Sequence, residues 1–232
     1  MSAKLLIVDT ETTGIDPDRD RVIEVAAILY SVETRSSLYQ MSALLPAREN
    51  RAVRINRIAP AALQQLSPQL EQQSLELLQG LAREADYAVA HNAEFDQQWF
   101  GLGKLPLLRD RTGEPLPWLC TMTDFTWPLA SKSNESLINL ALSHGIGVSS
   151  AHRALTDCQL IAALFDRIPD LSGLLEQALQ PRYWFQASVS YQERHLAKEA
   201  GFRWYAERRA WLAKLTVADT QALPFAVTQI DD

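Results

Sequence analysis

The chain has 232 residues, 47% of them hydrophobic and 22% charged, and its 28 acidic against 22 basic side chains leave a formal net charge of −6. This is the composition of a folded globular protein with room for one ordinary domain and roughly 50 further residues, and it argues against a protein that coats nucleic acid through bulk positive charge. No apolar run approaches the roughly 18 residues needed to cross a bilayer, and Leu5 to Val8 is shorter than the roughly 7 to 15 apolar residues of a signal peptide, so a cytoplasmic protein with no membrane association is expected.

Lys4 to Val8 is a short continuous apolar run ended by an acidic, threonine-rich turn, the pattern of a buried central strand. Val22 to Tyr30 and Ser37 to Leu45 predict two more strands, and their short connections favour an antiparallel three-strand start. Helices are expected at Ala59 to Leu66 and at Leu75 to Ala85. Tyr87 to Ala90 reads as a short buried strand feeding a helix from Phe95 to about Phe100. Residues 101 to 117, with Pro106, Pro115 and Pro117, read as a surface loop. Trp118 to Met122 reads as a last strand, and Ser136 to His144 and Ala154 to Phe165 as amphipathic helices. This order predicts an α/β domain over residues 1–178, a mixed central sheet flanked by helices. Cys120 and Cys158, the only cysteines, are expected to be free thiols.

The character changes near Gln180-Pro181, because residues 1 to 180 carry a net charge of −7, residues 181 to 215 a net of +4 and the last 17 a net of −3. The basic segment is dense in aromatics, among them Trp184, Phe185, Tyr191, Trp204, Tyr205 and Trp211. It predicts a small β-α-β-β module over residues 182–215, with Gly201 as the helix stop, followed by an acidic tail over residues 216–232. Its aromatics either form a core of their own or, interleaved with Arg, stack on bases and track phosphates.

Three clusters could carry chemistry. Asp9 and Glu11 stand two apart where a strand runs out, so a period-two backbone points both carboxylates to one side, where they repel unless a cation or proton neutralises them. A solvated turn is the plainer account of that pair alone. In Val89-Ala-His-Asn-Ala-Glu-Phe-Asp96 a strand passes into a helix and delivers Asp96 about one turn in, where it could equally be an acid favoured by the helix dipole. His152-Arg-Ala-Leu-Thr-Asp157 brings an imidazole and a carboxylate to a helix start, where capping is the alternative. Glu24, alone inside an apolar run, reads as a buried acid held by hydrogen-bond donors.

Together the three clusters resemble the signature motifs of the DnaQ-like 3′-to-5′ exonucleases, the DEDDh group of the ribonuclease H-like fold, matching Asp9-Thr-Glu11, His91 to Asp96 and His152 to Asp157. Ile55-Asn-Arg-Ile58, Trp118 to Met122 with Trp127-Pro128, and His152 to Cys158 resemble the exodeoxyribonuclease X subgroup in finer detail. The resemblance covers about residues 4 to 168.

It implies a ribonuclease H-like mixed five-stranded sheet and a 3′-to-5′ exonuclease that releases 5′-mononucleotides from DNA 3′ ends. Carboxylates are hard oxygen donors suited to Mg²⁺ or Mn²⁺, and two such ions suit in-line attack on a phosphodiester. By resemblance, Asp9 bridges both ions, Glu11 and Asp157 complete the site that holds the nucleophile, Asp96 acts mainly through water, and His152 is the general base. Thr12, Thr13 and Phe95 match positions that contact the terminal nucleotide, and Asn56 stands near the substrate where many relatives have His. RNA is the alternative substrate, since these residues do not sense a 2′-hydroxyl. A proofreading or scaffold subunit docking a polymerase or repair protein through the C-terminal module is the non-enzyme alternative.

Overall fold

The computed structural model describes residues 2–101, 103–132, 134–148 and 152–230. Strands β1 (Lys4–Thr12), β2 (Val22–Ser31) and β3 (Ser36–Leu44) come first, followed by the short helices α1 (Val53–Asn56) and α2 (Pro60–Leu63) and the long helix α3 (Pro68–Ala82). Strand β4 (Tyr87–Ala90), helix α4 (Ala93–Gln97), strand β5 (Trp118–Cys120) and helices α5 (Leu137–Ser143), α6 (Ala154–Arg167) and α7 (Leu171–Ala178) complete the larger unit. Its sheet has the order β3-β2-β1-β4-β5. The first three strands are antiparallel neighbours, and β4 and β5 join in parallel.

Strand β1 is the axis of this sheet, and its period-two alternation divides the core. Leu5 and Ile7 pack under α5, α6 and α7 with Phe165, Leu164 and Ile161. Leu6 and Val8 pack on the opposite face with Leu78, Trp99 and Phe100. All four are fully buried, which is why they read as an unbroken apolar run. β1 also runs four residues beyond its expected end at Val8, so Asp9 and Glu11 continue the Leu5-Ile7 row on the α6 face. Helix α6 lies close against the strands, its Cys158 thiol 3.7 Å from the carbonyl oxygens of Ile7 and Ala26. Both cysteines are free thiols.

The helix expected at Leu75 starts at Pro68, capped by the Ser67 side chain, which accepts from the Leu70 amide. The helix expected over 59–66 is the single turn α2, with α1 before it. No helix among the described residues is long and apolar enough to cross a membrane.

A second sheet follows, formed by β6 (Tyr183–Ala187), β7 (Arg203–Tyr205), β8 (Ala210–Leu215) and β9 (Val227–Ile230), with helices α8 (Arg194–Glu199) and α9 (Val217–Gln221). Its order is β7-β8-β6-β9. The stretch read as an acidic tail is instead built into the module: Thr216 and Asp219 form a reciprocal cap on α9, and β9 pairs antiparallel with β6. Asp231 and Asp232, which supply most of that stretch's charge, lie outside the described residues. Arg182 joins the units, donating to the Asp124 carbonyl at 2.8 Å and lying 3.6 Å from both the Asp124 and the Asp219 carboxylates. Asn134 adds a contact to the Gly201 carbonyl.

Candidate active site

The chemistry-bearing residues meet at the edge of the large sheet where β1 ends. Asp9 and Glu11 arrive from β1, Asp96 from the start of α4 and Asp157 from the first turn of α6. The Glu11 and Asp157 carboxylates and the His152 ring offer donor atoms within 4.8 Å of one another. Asp96 is buried and accepts from both the Thr10 amide at 2.9 Å and the Thr10 hydroxyl at 2.8 Å, which ties the β4-α4 junction to β1.

Acids gathered this way hold their protons unusually tightly. Burial, reinforced by Asp96, Asp157, Glu11 and Glu24, raises the Asp9 carboxyl well above the ordinary range. Burial and then Asp157 and Glu24 push Glu11 up to about 8, against the opposing pull of Arg153. Burial carries Asp96 up to about 7 despite its Thr10 bonds, and Asp157 up to about 6 despite the neighbouring His152. So many oxygen donors with so little internal countercharge fit one or more hard divalent cations, and soft metals far less well.

The approach of His152 is built by a residue outside the motifs. Glu24 faces Glu11 across the β1-β2 ladder and is almost fully buried. It receives a bidentate pair from the Arg153 guanidinium at 2.9 Å each, the Ala154 amide at 3.2 Å and the Ser42 hydroxyl at 3.0 Å. The buried acid read from the sequence therefore anchors the start of α6 to the sheet, next to His152, whose backbone is left-handed at φ 61°. The one sequence signal for this partner is Arg153 standing beside His152. Glu24→Gln, which keeps the shape but gives up the charged pair, is expected to lower kcat on the order of 10-fold with little change in KM. An unchanged kcat, measured by steady-state turnover, would show that this latch does not position His152.

The expected substrate contacts divide. Thr12, Thr13 and Asn56 are all buried, and their polar groups serve the chain itself. The Thr12 hydroxyl donates to the Gly14 carbonyl, the Thr13 hydroxyl donates to Asp20 at 2.8 Å, and the Asn56 amide donates to the Thr12 carbonyl at 3.1 Å. Asn56 also accepts from Asn50 and from the Ile58 amide. These side chains shape the turn after β1 instead of projecting from it. Phe95 is half-buried, edge-on to Trp99 with ring centres 6.0 Å apart. His91 is an internal brace between Thr121 and the Glu135 carbonyl, and burial holds its pKa down to about 4, so it stays neutral.

Comparison with known proteins agrees with this geometry. Residues 6–165 match the family model described as exonuclease, and residues 183–230 match a domain of unknown function, DUF8626. Exodeoxyribonuclease 10 of Escherichia coli is 31% identical over 179 residues, 73% of this chain and 70% of that protein. The DNA polymerase III subunit epsilon of Treponema pallidum is 27% identical over 164 residues, 68% of this chain and 72% of that one. A structure of exonuclease X in complex with 5′-overhanging duplex DNA superposes with a TM-score of 0.53 at 26% identity, covering 75% of this chain and 99% of that one. The mixed sheet is that of the ribonuclease H-like exonucleases, and this chain belongs to the DnaQ-like 3′-to-5′ exonuclease family.

Proposed function

We propose that this protein removes nucleotides from DNA 3′ ends, releasing 5′-mononucleotides with the aid of two Mg²⁺ or Mn²⁺ ions. The observation that carries the reading is the convergence of Glu11, Asp157 and His152 beside Asp9 and Asp96 at one sheet edge. The exonuclease family is metal-dependent, and the ions, when bound by Asp9, Glu11, Asp96 and Asp157, supply Lewis-acid stabilisation of the charge that builds on the phosphoryl oxygens.

His152, exposed at the lip of the cluster, is placed to take the proton from the attacking water. Asp157 and Glu11 lie beside its ring, and Glu24 with Arg153 holds the His152 segment in place. The Thr12-Thr13-Gly14 turn, closed on itself by hydroxyl bonds and by Asn56, follows Glu11 directly in the chain. Its tip, Ile15, is 82% exposed.

A DNA substrate is supported by the likeness to exodeoxyribonuclease 10 and to an exonuclease solved on duplex DNA. The test compares single-stranded, duplex and mismatched DNA, labelled at the 3′ or 5′ end, with RNA of the same sequence. Stepwise loss of the 3′ label as mononucleotide, faster on DNA, is expected. Equal or faster degradation of RNA would move the substrate assignment, and loss of the 5′ label first would overturn the polarity.

A further inference from the structure

The C-terminal module has a sheet face that lies outside its main apolar cluster. Register places Arg203 and Tyr205 of β7, Leu212 and Lys214 of β8, and Trp184 and Gln186 of β6 on one side, since paired residues share a face. The opposite side already holds the module's core, in which Phe185 and Ala213 pack with Ala197, Phe202, Trp211 and Val227. The aromatic rings of the Trp184 face lie outside that core. Trp184 and Tyr205 reach across β8 and meet edge to face at 5.8 Å, in register above the buried Leu212, and the Lys214 ammonium lies 5.2 Å from the Trp184 ring centre. Tyr205, Arg203, Lys214 and Gln186 are exposed.

Charge selects the occupant. None of the four strands contains an Asp or Glu, and the β7-β8 turn adds exposed Arg208 and Arg209 with a single Glu207. The nuclease unit, in contrast, carries a net charge of −7 over residues 1 to 180. An exposed Tyr205 against a half-buried Trp184, flanked by cations on a sheet face with no acid, suits bases stacked between phosphates. It suits an acidic protein surface less well, because that would leave the ring faces without partners.

We propose that this face, centred on Trp184, Tyr205, Arg203 and Lys214, binds single-stranded DNA of the strand whose 3′ end is being trimmed. The inference rests on the exonuclease reading for the identity of the strand. Arg182 and Asn134 tie the module to the nuclease unit.

The test uses the full chain. Affinity for a fluorescent single-stranded oligonucleotide is measured by anisotropy in EDTA, where no cleavage contributes. Hydrolysis of the p-nitrophenyl ester of thymidine 5′-monophosphate with Mn²⁺ then reads the nuclease site alone. Tyr205→Ala is expected to weaken oligonucleotide binding roughly 5- to 100-fold, the range of one missing stacking partner, and Tyr205→Phe to retain it. Arg203→Gln combined with Lys214→Gln is expected to lower the slope of log affinity against log salt by roughly 0.7 for each phosphate no longer neutralised. Ester hydrolysis is expected to be unchanged in all three. Circular dichroism melts confirm that these exposed substitutions leave the fold intact. If Tyr205→Ala and the double variant bind the oligonucleotide as the parent does, the proposal is overturned and the face is left to a protein partner. Absence of ester hydrolysis in the parent would instead sink the nuclease reading, without touching the binding result.

Discussion

Asp9→Asn is expected to cut nucleotide release by at least about 10³-fold while making the metal-free protein more resistant to heat. The first effect follows if Asp9 is central to cation binding, because the several kcal/mol of charge stabilisation that a divalent ion supplies is worth a factor of ten for each roughly 1.4 kcal/mol. The second follows from proton linkage. In the unfolded chain these carboxyls titrate near about 4. In the folded chain Asp157 rises to about 6, Asp96 to about 7, Glu11 to about 8 and Asp9 also upward. The folded state therefore binds protons more tightly than the unfolded one. The contribution of these groups to stability is fully present below the ordinary carboxylate range and is lost progressively as pH rises from there through the folded values of about 6 to 8.

A neutral amide at position 9 cannot ionise in either state, which removes the preference of that carboxyl for the unfolded chain, so Tm of the metal-free protein at pH 8 should rise by about 2–4 °C for each kcal/mol relieved. Mg²⁺ or Mn²⁺ should raise the parent's Tm more at pH 8 than at pH 5 and raise the variant's very little. Thermal melts with EDTA and with each cation, beside a degradation assay, read both effects. Activity of the parent that survives excess EDTA, or a metal-free variant less stable than the parent at pH 8, would remove the cation-site reading.

His152→Ala is expected to separate proton transfer from cation binding. A positioned general base contributes roughly 10²- to 10⁴-fold, so kcat should fall within that range while KM moves only a few-fold. The variant should keep the parent's rise in Tm on adding Mn²⁺, because the carboxylates of Asp9, Glu11, Asp96 and Asp157 remain. That retained response distinguishes a base from a ligand, which its position within 4.8 Å of Glu11 and Asp157 would also allow. Loss of the metal-dependent Tm shift would make His152 a ligand, and an unchanged kcat would remove it from the chemistry.

Much of this site is legible in the sequence, for a physical reason. Period-two alternation is a local property, so spacing alone puts Asp9 and Glu11 on one face, and the strand-to-helix junction delivering Asp96 is visible in Tyr87 to Ala90. Hidden from the sequence is whatever depends on a partner far along the chain. Nothing near Glu24 announces Arg153, 129 residues away. The hydroxyls of Thr12 and Thr13 look available until the turn closes on Gly14 and Asp20 and uses them.

Element ends are misread where chemistry masks propensity. The acids and threonines after Val8 look like a loop, although the ladder of β1 with β2 continues to Thr12. Strand β9 escapes a reading of the sequence because four residues with half-exposed Val227 and Ile230 show almost no pattern of their own, and only the edge of β6 makes them a strand.

The pairing of β6 with β9 has a consequence for how the C-terminal module can be handled as a part. The strand by which the chain enters it and the strand by which it ends are hydrogen-bonded neighbours, with Trp184 opposite Ile230 and Ala187 opposite Val227. A chain shortened at residue 215 would strip β9 and leave β6 as a bare edge carrying aromatic side chains, an invitation to edge-to-edge aggregation. A cut near residue 180 instead falls ahead of the whole sheet and leaves the pairing of β6 with β9 untouched.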